Sequence, residues 1–217
     1  WFFDEDAQFL ASRGYAVLQL NFRGSGGRGV NFQEAGYRQW GGKIIDDLED
    51  ATRWAVAQGE VDGARVCAYG ASFGAYASMM LAARDPATYK CAVGYVGVYD
   101  LTLLGKAQND RTDTYLANTF RKYIGDDRAE LDRISPVKLG AKITSPVMLV
   151  HGGKDTRAPV EHAHAMRAAL TAAGRPPEWF LVADEGHGFY NTANRTAFYE
   201  KLEAFLGRHI GKAPAAR

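Results

Sequence analysis

Residues 65–79 read RVCAYGASFGAYASM. Arg65 to Tyr69 is an apolar run of strand length, and the segment from Phe73 onward is long and apolar enough for a buried helix. Between them stands G-x-S-x-G, with Gly70, Ser72 and Gly74 in the fixed places. A serine on so short a strand-to-helix turn has a strained backbone and its Oγ lifted above the sheet. Glycine is expected at 70 and 74 because side chains there would strike the neighbouring strand and helix. The helix beginning at Phe73 points its first amides at the serine, so the Phe73 amide is the candidate donor to negative charge developing there. A free serine hydroxyl is a poor nucleophile, so this reading demands a base and a group to orient it.

Outward from this stretch the strand-then-helix rhythm repeats. Strands are expected at 15–21, 65–69, 91–96, 147–151 and 178–182, and helices at 2–13, 41–58, 73–84, 160–173 and 195–210. In the second helix Ile44, Leu48, Ala51 and Ala55 form one apolar stripe, with Asp46, Asp47, Glu49 and Asp50 on the wet side. Residues 103–140 are polar and break the rhythm; with a short helix at 114–123 they read as an insertion. Five strand–helix alternations predict an α/β fold, a mostly parallel sheet with helices on both faces. In such sheets ligands gather at the carboxyl ends of the strands.

The partners of Ser72 are expected there too, in the order serine, acid, histidine. Val147 to His151 is followed by Gly152-Gly153-Lys154-Asp155, and Glu178 to Val182 by Ala183-Asp184-Glu185-Gly186-His187. His187 is then the base that takes the Ser72 proton and returns it to the leaving group, and Asp155 holds the imidazole's tautomer and stabilises its cation. Asp184 and Glu185 lie too close to His187 in the chain to come from a separate strand end, and Glu185 is expected to shape the turn. The competing metal reading is poor. His162 and His164, two apart on a helix, point about 200° from each other, and His151 at a strand end serves equally as a ligand or a packed residue.

Composition excludes other classes. The chain has 217 residues, 47% hydrophobic and 24% charged, with a net charge of +1 and no basic block, so nothing points to nucleic acid or an anionic membrane surface. No apolar stretch approaches the roughly 18 residues of a membrane-spanning helix. Cys67 and Cys91 sit in apolar runs and read as buried thiols in preference to a disulfide or a metal pair. One further motif, G-x-G-x-x-G at Gly24 to Gly29, suggests a dinucleotide loop. It fails the test of context: Gly36, Gly41 and Gly42 interrupt the helix that should follow, and no acidic residue ends a next strand. No cofactor is expected.

Taken together, several stretches resemble the catalytic domain of the prolyl oligopeptidase family of serine peptidases, within the α/β-hydrolase fold. They are Asn21-Phe-Arg-Gly-Ser-Gly-Gly, Trp40-Gly with Asp46-Asp-Leu-Glu-Asp-Ala, Gly70-Ala-Ser-Phe-Gly-Ala-Tyr, Ser135-Pro136, His151-Gly-Gly-Lys-Asp-Thr-Arg-Ala-Pro159, and Asp184-Glu-Gly-His-Gly-Phe189. The acylaminoacyl-peptidase and dipeptidyl-peptidase branches are the most similar. The resemblance makes the glycine-rich segment after residue 21 a conformational loop beside the active site. It implies a slot for the residue before the scissile bond lined by Phe73, Val98, Leu101 and Leu104 and closed by Ala158, apolar and hence suited to hydrophobic side chains. Arg157 either donates to a substrate carbonyl or carboxylate or pairs with a nearby acid.

The resemblance also implies absences. The loop carrying a second oxyanion donor, H-G-G or Y-G-G in the family, is not in the chain, nor are the first strands of the sheet or the propeller that restricts access to short peptides. Residues 1–211 are therefore expected to be the C-terminal hydrolase part of a longer protein, and 212–217 a flexible tail. A second polypeptide, a homo-oligomer exchanging strands, or a rearranged closure would complete the sheet. The expected activity is hydrolysis of short or N-acylated peptides, in the cytoplasm with a periplasmic or secreted location left open, and with no nucleic-acid or membrane partner. An esterase of the same fold and a silent fragment acting as a binding module are the alternatives.

Overall fold

The computed structural model describes residues 3–104 and 114–211. Its centre is a four-stranded sheet of β1 (Val66–Ala71), β2 (Tyr89–Tyr95), β3 (Val147–Gly152) and β4 (Glu178–Val182), in that spatial order. Every neighbouring pair is parallel, so each connection must cross over the sheet. The helices are α1 (Glu5–Ser12), α2 (Val30–Glu34), α3 (Lys43–Ala57), α4 (Phe73–Arg84), α5 (Thr114–Tyr123), α6 (Arg128–Arg133), α7 (Glu161–Ala172) and α8 (Thr192–His209), with a 3₁₀ segment at Pro136–Lys142.

Strand alternation divides the core in two. On β3, Val147 and Leu149 pack with Ala75, Met79 and Met166 from α4 and α7, whereas Met148 and Val150 pack with Leu10, Phe198, Leu202 and Phe205 from α1 and α8. Both faces of the sheet are thus covered, which is why its central strands are mostly apolar, with Lys90 near the start of β2 and His151 near the end of β3 as exceptions. The α1 helix is capped by Asp4, which accepts the Ala7 amide at 2.8 Å. It is tied to the sheet by Asp6, whose carboxylate accepts from Tyr69 of β1 and Tyr199 of α8, each at 2.6 Å.

Two expectations need correction. Residues 15–21 form no strand, and Val17 and Leu18 stand exposed. A strand exists only as part of a ladder, and β1, at the edge of the sheet, pairs with β2 alone among the described strands. Apolar alternation records the preference of a segment, not the presence of its neighbour. Cys67 and Cys91, expected as thiols, form a disulfide. They are direct partners across the β1–β2 pair, with Cα atoms 4.7 Å apart, a juxtaposition that depends on strand register and not on local sequence. No helix among the described residues is long and apolar enough to cross a membrane. The expected tail at 212–217 lies outside the described residues.

Candidate active site

Ser72 sits between β1 and α4 with φ 55° and ψ −115°. A non-glycine residue rarely adopts such a backbone, which is strained and persists only where its surroundings enforce it. The enforcement is visible: the Ser72 amide donates to the Tyr95 carbonyl at 2.9 Å, and the Ser72 carbonyl accepts the amides of Ala75 and Tyr76. Phe73 is the first residue of the helix, a position whose amide has no intrahelical acceptor. The two motif glycines differ in their reasons. A Cβ on Gly70 would stand 2.5 Å from the Gly74 carbonyl carbon and 2.7 Å from its Cα, but a Cβ on Gly74 would meet nothing within 4 Å. The expected clash thus holds at 70 and not at 74.

Asp155 and His187 extend from the ends of β3 and β4, and backbone bonds stitch their loops together: Gly153 N to Val182 O and Lys154 N to Glu185 O, both 2.8 Å. A side chain on Gly152 would collide with the carbonyls of Glu185 and Gly186. Within this frame His187 Nδ1 lies 2.8 Å from Asp155 Oδ2. The other carboxylate oxygen accepts the amides of Arg157 at 2.9 Å and Ala158 at 2.8 Å. Burial pushes the Asp155 carboxyl up, but the His187 ring N–H and these two amides outweigh it and hold the group below the ordinary carboxylate range. Among the described residues no hydrogen bond joins Ser72 Oγ to His187.

Glu185 shapes the histidine turn, accepting from the amides of Tyr190 and Asn191 and from Asn194 Nδ2 at 2.9–3.0 Å. His151 is fully buried beneath Asp155, with Nε2 2.8 Å from the Ala158 carbonyl and 3.4 Å from Asp155 Oδ2. Burial pushes its pKa down, so it sits as a neutral ring that closes the loop from 151 to 158. His162 is equally buried and accepts the amides of Tyr99 and Asp100 on Nδ1. Among the described residues no group of three or more His, Cys, Asp or Glu side chains is arranged to hold a metal ion.

The expected specificity residues come together, but as core. Val98, Leu101, Leu104 and Ala158 are 6%, 1%, 4% and 0% exposed and share one cluster, with Phe73 packed against it at its edge. The described residues therefore present a closed apolar patch beside Ser72. Arg157 is exposed, and its guanidinium makes no ion pair among the described residues. In the glycine-rich loop Gly24, Gly27 and Gly29 lie at φ 79–96°, a backbone that glycine adopts at no steric cost. Arg23 anchors it, reaching Asp47 of α3 with Nε at 2.8 Å and Nη2 at 2.5 Å. The helix that follows has five residues, too few to offer a pyrophosphate site.

Residues 1–213 match the model of the prolyl oligopeptidase family. A dipeptidyl aminopeptidase BIII of Pseudoxanthomonas mexicana is 37% identical over 94% of the chain, which covers 30% of that protein. The structure of a puromycin-hydrolyzing peptidase of Mycobacterium tuberculosis superposes with a TM-score of 0.82 at 26% identity, over 90% of this chain and 30% of that one. An acylaminoacyl peptidase of Pyrococcus horikoshii shares the fold, with a TM-score of 0.87 at 19% identity over 100% of this chain and 36% of that one. The chain thus spans about a third of the length of the relatives it matches.

Proposed function

The chain belongs to the prolyl oligopeptidase family, and from this premise we propose that it carries the catalytic residues of a serine peptidase acting on short peptides, N-terminally free or acylated. The observation that carries the proposal is the 2.8 Å bond between His187 Nδ1 and Asp155 Oδ2 on the same rim of the sheet as the strained Ser72 turn. With Nδ1–H committed to the carboxylate, Nε2 carries a free lone pair, the tautomer a general base requires.

Ser72 Oγ attacks the scissile carbonyl carbon as Nε2 takes its proton. The carbonyl π pair moves onto oxygen, and the Phe73 amide donates to that oxyanion. Collapse of the tetrahedral intermediate breaks the C–N bond, and the imidazolium returns its proton to the departing amine. Water repeats the sequence on the acyl-enzyme and releases the acid and the serine. Asp155, held ionised, stabilises the imidazolium in both halves.

Phe73, partly exposed at the edge of the apolar cluster that buries Val98, Leu101, Leu104 and Ala158, supports a preference for a hydrophobic residue before the scissile bond, and Arg157, without an ion pair among the described residues, supports a contact to a substrate carbonyl or carboxylate. The Cys67–Cys91 bond favours an oxidising, extracytoplasmic compartment over the cytoplasm expected from sequence. The proposal is tested by assaying the intact protein on matched peptide and ester reporters, with Ser72→Ala as control. Peptide hydrolysis that disappears in the variant is the expected result. Ester hydrolysis without peptide hydrolysis would remove the peptidase reading and leave an esterase.

A further inference from the structure

Strand β2 ends on a residue that touches both halves of the site. The carbonyl of Tyr95 accepts the Ser72 amide at 2.9 Å, and its Oη accepts the Phe189 amide at 2.5 Å. Phe189 is two residues beyond His187, on the loop that holds the imidazole. The Tyr95 ring is itself fixed, stacked on Phe198 with centroids 4.7 Å apart and edge-on to Phe189 at 5.2 Å. The next residue, Val96, has φ 45°, is 2% exposed, and donates its amide to Val150 of β3 at 2.8 Å. For a β-branched residue this is a true outlier. Strain of this kind is retained where the surroundings over-determine it, and it collects at functional sites. Here it ends β2 with Tyr95 at the rim, between the serine turn and the histidine loop.

Resting on the peptidase reading above, we infer that Tyr95 is a positioning residue for the Ser72–His187 pair: its carbonyl fixes the serine turn, its hydroxyl fixes the histidine loop, and its rigid ring sets the gap the proton crosses. The gap matters because a base works only within hydrogen-bond reach of the proton it takes. Burial pushes the Tyr95 phenol up, so the hydroxyl stays neutral and its lone pair is available to the Phe189 amide. Packing explains the ring, and the parallel β1–β2 pairing explains the carbonyl bond to Ser72; neither explains the hydroxyl's bond to the Phe189 amide, which ties the histidine loop to the strand that holds the serine turn.

Tyr95→Phe keeps the ring and removes only the acceptor. On the intact protein, the rate at which a small fluorophosphonate labels Ser72, and kcat on a peptide reporter, should fall about 10²-fold, the scale expected of a misplacement near 1 Å, with KM and Tm largely kept. A variant labelled at the wild-type rate overturns the inference, as does one that loses Tm while keeping kcat. Absence of labelling in the wild type would instead overturn the peptidase reading on which it rests. Should the variant not fold, amide exchange on the wild type decides: the Phe189 N–H is expected to be protected, and fast exchange there would refute the bridge.

Discussion

His187 Nδ1 and Asp155 Oδ2 meet at 2.8 Å although 32 residues separate them in the chain. The meeting is produced by the parallel pairing of β3 and β4 and by two backbone bonds between the loops that leave them. Replacing the carboxylate by an amide keeps the volume but no longer enforces the Nδ1–H tautomer. Asp155→Asn is therefore expected to lower kcat by about 10⁴-fold with little change in KM, measured by steady-state peptide hydrolysis. A loss below about tenfold would mean that Asp155 does not orient the base.

The G-x-S-x-G glycines should respond unequally. Ala at 70 would drive a methyl into the Gly74 backbone, whereas Ala at 74 enters open space. Gly70→Ala is expected to lower stability by about 1–3 kcal/mol through overpacking, and Gly74→Ala to leave it near the wild-type value. Denaturant titration of both variants checks this, and equal losses would contradict the packing described for the turn.

The buried His162 predicts a particular loss of stability in acid. Burial pushes its pKa down to about 4, whereas in the unfolded chain it titrates near 6.5. Between these values the unfolded chain binds the proton and the folded one does not, so stability falls as pH drops from about 6.5 to about 4 and is fully retained above that window. The loss is on the order of 3 kcal/mol. His162→Asn offers the Tyr99 and Asp100 amides an oxygen in place of Nδ1 and cannot titrate, so its stability should be flatter across the window. An unchanged slope in the variant would place the acid sensitivity elsewhere, first at the buried His151, whose pKa burial also pushes down; the depressed Asp155 carboxyl acts only lower, below about pH 4.

Thiol titration in denaturant without reductant checks the sheet. With Cys67 and Cys91 bonded across β1 and β2, no free thiol is expected before reduction and two after it. Two thiols at the outset would return these residues to the buried-thiol reading and would withdraw the argument for an oxidising compartment.

What could be read from sequence was what repeats locally. The α4 helix from Phe73 to Arg84 and the β4 strand from Glu178 to Val182 show through their apolar runs and flanking turns. Ser72, Asp155 and His187 show because each follows a strand, in a single order along the chain. Register between strands was not legible: nothing near Cys67 announces Cys91, and nothing near Tyr95 announces the Phe189 amide. The stretch 15–21 has the pattern of a strand without a described neighbour to pair with. Val98, Leu101 and Leu104 could be read as apolar, but their burial against Ala158 depends on how a distant loop folds back.

The central claim is that Ser72 is a nucleophile activated by His187. The most direct measurement is the intact mass of the whole protein after treatment with a fluorophosphonate, for the wild type, Ser72→Ala and His187→Ala. One adduct localised to residue 72, absent from Ser72→Ala and formed at least about 10²-fold more slowly in His187→Ala, is the expected result. A wild-type protein that takes no adduct, or a Ser72→Ala variant that still takes one, would contradict the claim.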